Sequence, residues 1–248
     1  MGSEMCIRDR SETWHTLPGG RFLKAARNAV FETLTEIAPD GTLQPCLATG
    51  WTADDLGRVW HFDLQEGVRF HDGALFTAAD AAASLQAAGF MAFRDGAGLT
   101  VELGEADPAL PFRLAREGHV MATAHDLSSG DEIMNGTGLY RVQRFDPGRG
   151  FLGTRVDTHR KDGAAGWFQS IELVAISDEA VRAEAVRDGH VHVADLSQVH
   201  DLEHHAHIQL VADRDGVAAV SNNVATGPRL GPAPLDDLRF VERWWLTS

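Results

Sequence analysis

Residues 47–88, LATGWTADDLGRVWHFDLQEGVRFHDGALFTAADAAASLQAA, change their hydrophobic period once and mark the change with turn residues. Trp60, Phe62 and Leu64 alternate with His61 and Asp63, the period of two that a half-buried strand requires. Val68 and Phe70 carry the alternation past a turn at Glu66-Gly67. His71-Asp72-Gly73 then reads as a second turn, because Asp bonds its own backbone and Gly accepts positive φ. Thr77, three residues before Asp80 and ahead of an Ala-rich run, predicts an N-capped helix. Strand, double turn and capped helix in this order leave few folds open, all of them mixing sheet and helix in one core.

The flanking chain agrees. Residues 21–37 place Leu23, Ala26, Val30, Leu34 and Ile37 at helical spacing, and Pro39-Asp40-Gly41 ends the run with a turn. Leu99 to Leu103 can form a strand, and Phe112 to Ala115 a short helix. Gly136-Thr137-Gly138 leads into an alternating run at Tyr140, Val142 and Phe145. A Gly-x-Gly pair also occurs in phosphate loops, but no helix start and no Gly-Lys-Ser/Thr follow, so a tight turn feeding a strand is the better reading. Residues 170–176 read as a strand, Ser177-Asp178-Glu179 as a helix cap, and residues 217–224 as an apolar strand ending in amides. A last helix from about Leu235 would carry Trp244 and Trp245 as an apolar patch.

Composition narrows the function. Of 248 residues, 44% are hydrophobic, and 22 basic residues face 36 acidic ones for a net charge of −14. Nucleic-acid backbones need clustered Lys and Arg, so that partner is excluded. No apolar run is long enough for a transmembrane helix. Two cysteines, Cys6 and Cys46, make no disulfide framework. Residues 1–10, MGSEMCIRDR, have neither the basic start nor the apolar run of a secretory signal, and read as a non-native scar.

The ordered residues of the central stretch carry a family resemblance. Trp51, Asp55, Gly57, Trp60, Phe62, Gly67, Val68, Phe70, His71, Asp72, Gly73, Phe76, Thr77, Ala78, Asp80, Ser84 and Leu85 follow the signature of the family 5 extracellular solute-binding proteins. These are the peptide, oligopeptide and nickel receptors of ABC importers. Upstream, Val30, Phe31, Glu32, Leu34, Asp40, Gly41, Leu43, Pro45, Leu47 and Ala48 resemble the family's next landmark. Downstream, Gly136, Thr137, Gly138 and Tyr140 resemble its "GTGPY" element with Leu139 for Pro. Gly189, Val191, Val193 and Ala194 match more thinly, as does Pro234 to Arg239.

The resemblance implies a mixed α/β (α+β), periplasmic-binding-protein-like lobe with a reduced small subdomain and the second lobe absent. Its expected organisation is residues 11–45 as the start of the main lobe, 46–135 as the small subdomain region, and 136–248 as the return to the main lobe. It also implies a periplasmic location, a peptide or similar small solute as ligand, an ABC permease as partner, no cofactor and no enzymatic activity. Ligand in such receptors lies between lobes, at strand ends and landmark turns. The residues so placed are Tyr140, Asp195, Asn222 and Asn223, with Trp14 as an aromatic wall. A core Tyr, a cap Asp, turn Asn residues and a core Trp are the competing roles.

The histidines offer a second reading from spacing alone. Six of the twelve lie between His190 and His207, and His200 and His204 stand at i and i+4, which on a helix puts both imidazoles on one face. A nickel or zinc site is therefore the alternative to a solvated surface. Asp201 after His200 departs from the zinc-protease motif, and no nucleophile elbow is present, so a hydrolase is the weakest reading.

Overall fold

The computed structural model describes residues 21–38, 40–116, 119–129, 134–166, 168–213 and 216–221. The expected helix bearing Trp244 and Trp245 lies outside the described residues. The chain divides between Leu173 and Val174 into two compact units.

The first unit opens with α1 (Arg21–Val30), followed by β1 (Thr35–Ile37), β2 (Leu43–Pro45), β3 (Ala48–Ala53) and β4 (Val59–Leu64). Next come α2 (Ala78–Ala87), β5 (Met91–Asp95), β6 (Gly98–Glu102), α3 (Leu110–Arg116) and α4 (Ala124–Ser129). It closes with β7 (Tyr140–Asp146), β8 (Gly150–Arg155) and β9 (Ser170–Val174). β3, β4, β6 and β5 form one antiparallel sheet in that order, and β7, β8 and β9 form another. The alternation in the sequence becomes the two faces of β4: Trp60 and Phe62 are buried, His61 and Asp63 exposed. Trp60 and Phe62 join Leu34, Leu47, Val68, Phe70, Phe76, Leu85, Leu99, Leu110, Leu114 and Met121 in one core. Most of that core comes from the single central stretch.

The turns form as their chemistry dictates. Asp54 Oδ1 accepts the Arg58 and Val59 amides at 2.7 and 3.0 Å, and Gly57 takes φ +65°. Asp72 Oδ1 accepts the Ala74 amide at 2.8 Å, and Gly73 takes φ +93°. Asp80 serves two helices. Its Oδ2 accepts the Thr77 amide at 2.9 Å and hydroxyl at 2.6 Å, closing the start of α2. Its Oδ1 accepts the Ala124 amide at 2.9 Å, the first of α4. Buried Ser84 completes the joint, accepting the Ala122 amide at 3.0 Å.

The helix expected over 21–37 stops at Val30. Phe31 makes the last helical bond, to the Arg27 carbonyl at 2.8 Å, and the chain then extends. Thr33 bridges Val120, and Thr35 donates its hydroxyl to the Pro111 carbonyl at 2.5 Å. Leu34 still reaches the core, fully buried, from an extended backbone that β-branched Thr33 and Thr35 favour.

The second unit holds α5 (Glu179–Arg187), β10 (Val193–Leu196), β11 (Ile208–Asp213) and β12 (Gly216–Ser221). β12 is the central strand, antiparallel to both neighbours. Asp178 caps α5 by accepting the Ala180 and Val181 amides at 2.9 and 3.3 Å. The helix rests on the sheet through Ala183 and Val186 against Ala194, Leu196, Leu202, Ile208 and Ala219.

Removing a carboxylate that caps two helices costs more than one cap. Asp80→Ala is expected to destabilise the chain by about 2 kcal/mol, roughly 1 kcal/mol for each lost cap. Urea unfolding followed by circular dichroism measures it; a loss of only about 1 kcal/mol would show that the second cap contributes nothing.

Candidate functional site

The landmark turns meet at Gly136-Thr137-Gly138. Gly138 donates its amide to the Val30 carbonyl at 2.8 Å, where α1 ends. A Cβ at Gly136 would stand 2.0 Å from the Val30 oxygen, and one at Gly138 would stand 2.6 Å from the Ala29 oxygen. Both glycines therefore answer a close backbone approach rather than a phosphate. His71 clasps the same turn. Its amide donates to the Gly136 carbonyl at 2.9 Å, and its Nε2 lies 2.8 Å from the Gly138 carbonyl.

Beneath the turn sits a buried carboxylate held by several donors. Glu32 is buried, and Arg160 meets its carboxylate with both terminal nitrogens, Nη2 at 2.7 Å from Oε1 and Nη1 on Oε2. Thr137 donates its hydroxyl to Oε2 at 3.1 Å, and Lys161 Nζ lies 3.2 Å from Oε1. Lys161 also donates to Glu36 at 2.6 Å. His159 Nδ1 accepts the Lys161 amide at 3.1 Å, so Nε2 carries the proton that faces the Thr137 carbonyl at 2.9 Å. Cys46 lies inside the group, with Arg160 Nη2 3.2 Å and Lys161 Nζ 3.6 Å from its sulfur.

Burial alone would raise the Glu32 pKa; the His159 hydrogen bond and the Lys161 and Arg160 charges outweigh it and hold the carboxyl far below the usual range. Burial, reinforced by Glu32, pushes the Cys46 thiol up to about 12 against the opposing pull of Lys161. Lys161 is held above its ordinary value: desolvation works against its charge, but Cys46, Glu32 and Glu36 favour it more. Two carboxylates matched by two cations leave no unpaired charge here. The arrangement can fasten backbone segments together; it presents no activated nucleophile.

Of the residues expected to touch ligand, two are described, one in each unit. Tyr140 opens β7 fully buried, its hydroxyl donating to the Phe168 carbonyl at 3.1 Å, and burial lifts its pKa to about 12. Asp195 lies in β10 of the other unit, opposite Ala218, and its carbonyl accepts Arg182 Nε at 2.8 Å. Trp14, Asn222 and Asn223 lie outside the described residues.

The helical spacing of His200 and His204 is not realised. His200 and Asp201 take φ +49° and +61°, and only a 3-10 turn at Leu202–His204 follows. His200 Nε2 contacts Glu179 Oε1 at 2.8 Å, while His204 is exposed beside Glu203. Glu179 also accepts the Ser197 amide and hydroxyl, both at 2.6 Å, and the Gln198 amide at 2.9 Å. The Ser197 hydrogen bond leads the causes that lower its pKa to about 2. Among the described residues no group of three or more His, Cys, Asp or Glu is arranged to hold a metal.

Sequence reasoning missed the Glu32 group. Glu32 lies 128 positions from Arg160, and no local pattern links them. The signal available was coarse: an acidic residue in a landmark segment, and a basic pair before Asp162.

The sign for Glu32 follows from its lowered pKa. Its contribution to stability is complete above about pH 4.3, the ordinary Glu value, and is lost as pH falls below that. For Cys46 the raised pKa predicts an inert thiol. In a Cys6→Ser background, alkylation at pH 8 should run on the order of a thousandfold slower in the native chain than in urea. A native rate within tenfold of the unfolded one would contradict the sealed environment.

Residues 42–240 match the family model for bacterial extracellular solute-binding proteins, family 5 Middle. Over 62 residues the chain is 37% identical to the nickel-binding periplasmic protein of Escherichia coli (strain K12), covering 25% of this chain and 12% of that protein. Similar solved structures include the PBP AgaA of A. tumefaciens R10 in complex with agropinic acid, with TM-score 0.72, 21% identity, and coverage of 81% of this chain and 45% of that one. AppA of Bacillus subtilis in complex with a nonapeptide gives TM-score 0.70, 14% identity, and coverage of 79% and 44%. NikZ of Campylobacter jejuni in complex with Ni(L-His) gives TM-score 0.64, 19% identity, and coverage of 75% and 42%. The chain thus spans under half the length of each of these solved proteins and a smaller share of the curated one. With its mixed α/β fold and a family match from residue 42 to 240, the chain belongs to the bacterial extracellular solute-binding proteins of family 5.

Proposed function

We propose that this chain forms part of the solute-binding component of an ABC importer, and that its ligand is a peptide or similar small solute. The observation that carries the reading is the family match over residues 42–240, on a fold shared with solute-bound relatives. No helix among the described residues is long and apolar enough to cross a membrane, which suits a component that hands its ligand to a separate permease. A location outside the cytoplasmic membrane belongs to the same proposal, as do residues 11–45 as the start of the main lobe, 46–135 as the small subdomain region and 136–248 as the return to the main lobe. Tyr140, Asp195, Trp14, Asn222 and Asn223 are the proposed ligand neighbours.

Metal capture by His200 and His204 is the second reading. It draws on the nickel-binding relative and the dense histidines. His200 already spends Nε2 on Glu179, and ligating imidazoles normally need a neighbour that orients them for the metal instead. Peptide is therefore the favoured ligand.

Isothermal calorimetry of the 248-residue chain tests both. Association costs about 4–15 kcal/mol of translational and rotational freedom, and a chain under half its relatives' length offers roughly half the contacts. Halving a micromolar interaction of about −8 kcal/mol leaves about −4 kcal/mol, a millimolar one. Peptides from a mixed pool should bind in that range, and Ni²⁺ or Zn²⁺ no tighter than micromolar. Nanomolar metal binding lost in His200→Ala/His204→Ala would replace the peptide reading with the metal one. A micromolar peptide complex would show that a complete cleft exists within these residues.

A further inference from the structure

His71 sits where a change of one proton would matter. Phe70 before it is buried in the core, and Asp72-Gly73 after it make the turn. Its amide and its Nε2 both bond the 136–138 turn, and its own carbonyl accepts Arg141 Nη2 at 2.5 Å. Asn135 seals the outer side, donating to Asp72 Oδ2 at 2.9 Å and accepting the Asp72 amide at 3.2 Å. A carbonyl oxygen only accepts, so the Nε2 that faces Gly138 carries the proton, and Nδ1 holds a bare lone pair. That Nδ1 is buried and has no hydrogen-bond partner among the described residues. A second proton would have to enter there, into a place with no acceptor.

The surrounding charges oppose that proton. Arg141 of β7 and His159 of the 159–161 loop work against a positive His71, and only Glu32 favours it. Glu32 is already engaged by Arg160, Lys161 and Thr137, so it has little left to offer a new cation. Asp72 and Asp126 face Asn135, at 2.9 and 3.4 Å from its Nδ2. Burial is the leading cause that lowers the His71 pKa, with the Gly138 carbonyl acting the other way.

We propose that His71 is a proton-operated latch: neutral, it fastens the 71–73 turn to Gly136-Thr137-Gly138; protonated at Nδ1, it releases them. The same turn brings the Thr137 hydroxyl to Glu32 and the Thr137 carbonyl to His159, so release loosens the buried charge group as well. The latch acts within one compact unit and does not rest on which solute the chain carries. Because the folded pKa lies below the ordinary value of 6.5, the latch is fully closed above that pH and weakens as pH falls toward the folded pKa. In that window the opening constant rises as pH falls, by at most about tenfold for each pH unit.

Hydrogen exchange of the Gly138 amide, which bonds Val30, reads the opening directly. Between pH 7.5 and 5.5, after correction for intrinsic exchange, its protection should fall in the wild type, by at most about tenfold. His71→Gln keeps an N–H aimed at Gly138 and cannot titrate, so its protection should stay flat over the same range. Equal pH dependence in the two chains overturns the latch. Should the variant not fold, the imidazole ¹⁵N shifts of wild-type His71 decide: an Nε2–H tautomer titrating below 6.5 supports it, and titration at or above 6.5 overturns it.

Discussion

The Glu32 carboxylate is the point on which the larger unit depends. An ionised carboxylate taken out of water costs several kcal/mol, and only near-complete hydrogen bonding offsets that. Here the compensation comes from far along the chain: Arg160 and Lys161 from one loop, Thr137 from the glycine turn, with Cys46 packed beside them. No one of these segments could satisfy the charge alone. Their folding is consequently mutual, since a carboxylate with any one donor missing stays buried and underpaired.

The glycines make this geometry reachable. Thr137 reaches Glu32 only because the backbone on either side of it lies against the end of α1, closer than a Cβ permits. The end of α1 is set by the same contact, for the Val30 carbonyl that would have continued the helix accepts the Gly138 amide instead. The central stretch supplies the opposite wall. Its strand and capped helix bury Phe62, Phe70 and Leu85, and its second turn presents His71 to the glycines. Three of the family landmarks, the end of α1 with Glu32, the central stretch and the glycine turn, are thus one interlocked construction.

What was legible in the sequence was what is decided locally. The faces of β4 follow from alternation, the Asp54 and Asp72 turns from side chains that bond their own backbone, and the start of α2 from Thr77 and Asp80. What was hidden depends on distant partners. The helical spacing through Leu34 is genuine, yet tertiary bonds to Gly138 and Pro111 overrule it. The i, i+4 histidines fail for the same reason: Glu179, 21 positions earlier, captures His200 from a backbone of positive φ. The candidate site was legible only as far as its landmarks. Glu32 and Thr137 stand in recognisable segments, whereas Arg160 and Lys161 enter from a loop with no period or motif. Of the expected ligand neighbours, Tyr140 shows how a landmark residue can owe its place to the core, being wholly buried with its hydroxyl bonded.

The larger unit depends on Glu32 and Arg160 stabilising the fold as a pair. A double-mutant cycle with Glu32→Leu and Arg160→Met, followed by urea unfolding, measures that coupling. Each single change leaves its partner underpaired, Glu32 without its guanidinium or Arg160 without its carboxylate, and is predicted to cost about 3–5 kcal/mol. The double variant removes both charges and is predicted to recover about 2–3 kcal/mol of the summed loss. Additive losses, with coupling below about 0.5 kcal/mol, would show that the pair is incidental and that the segments are held by packing alone.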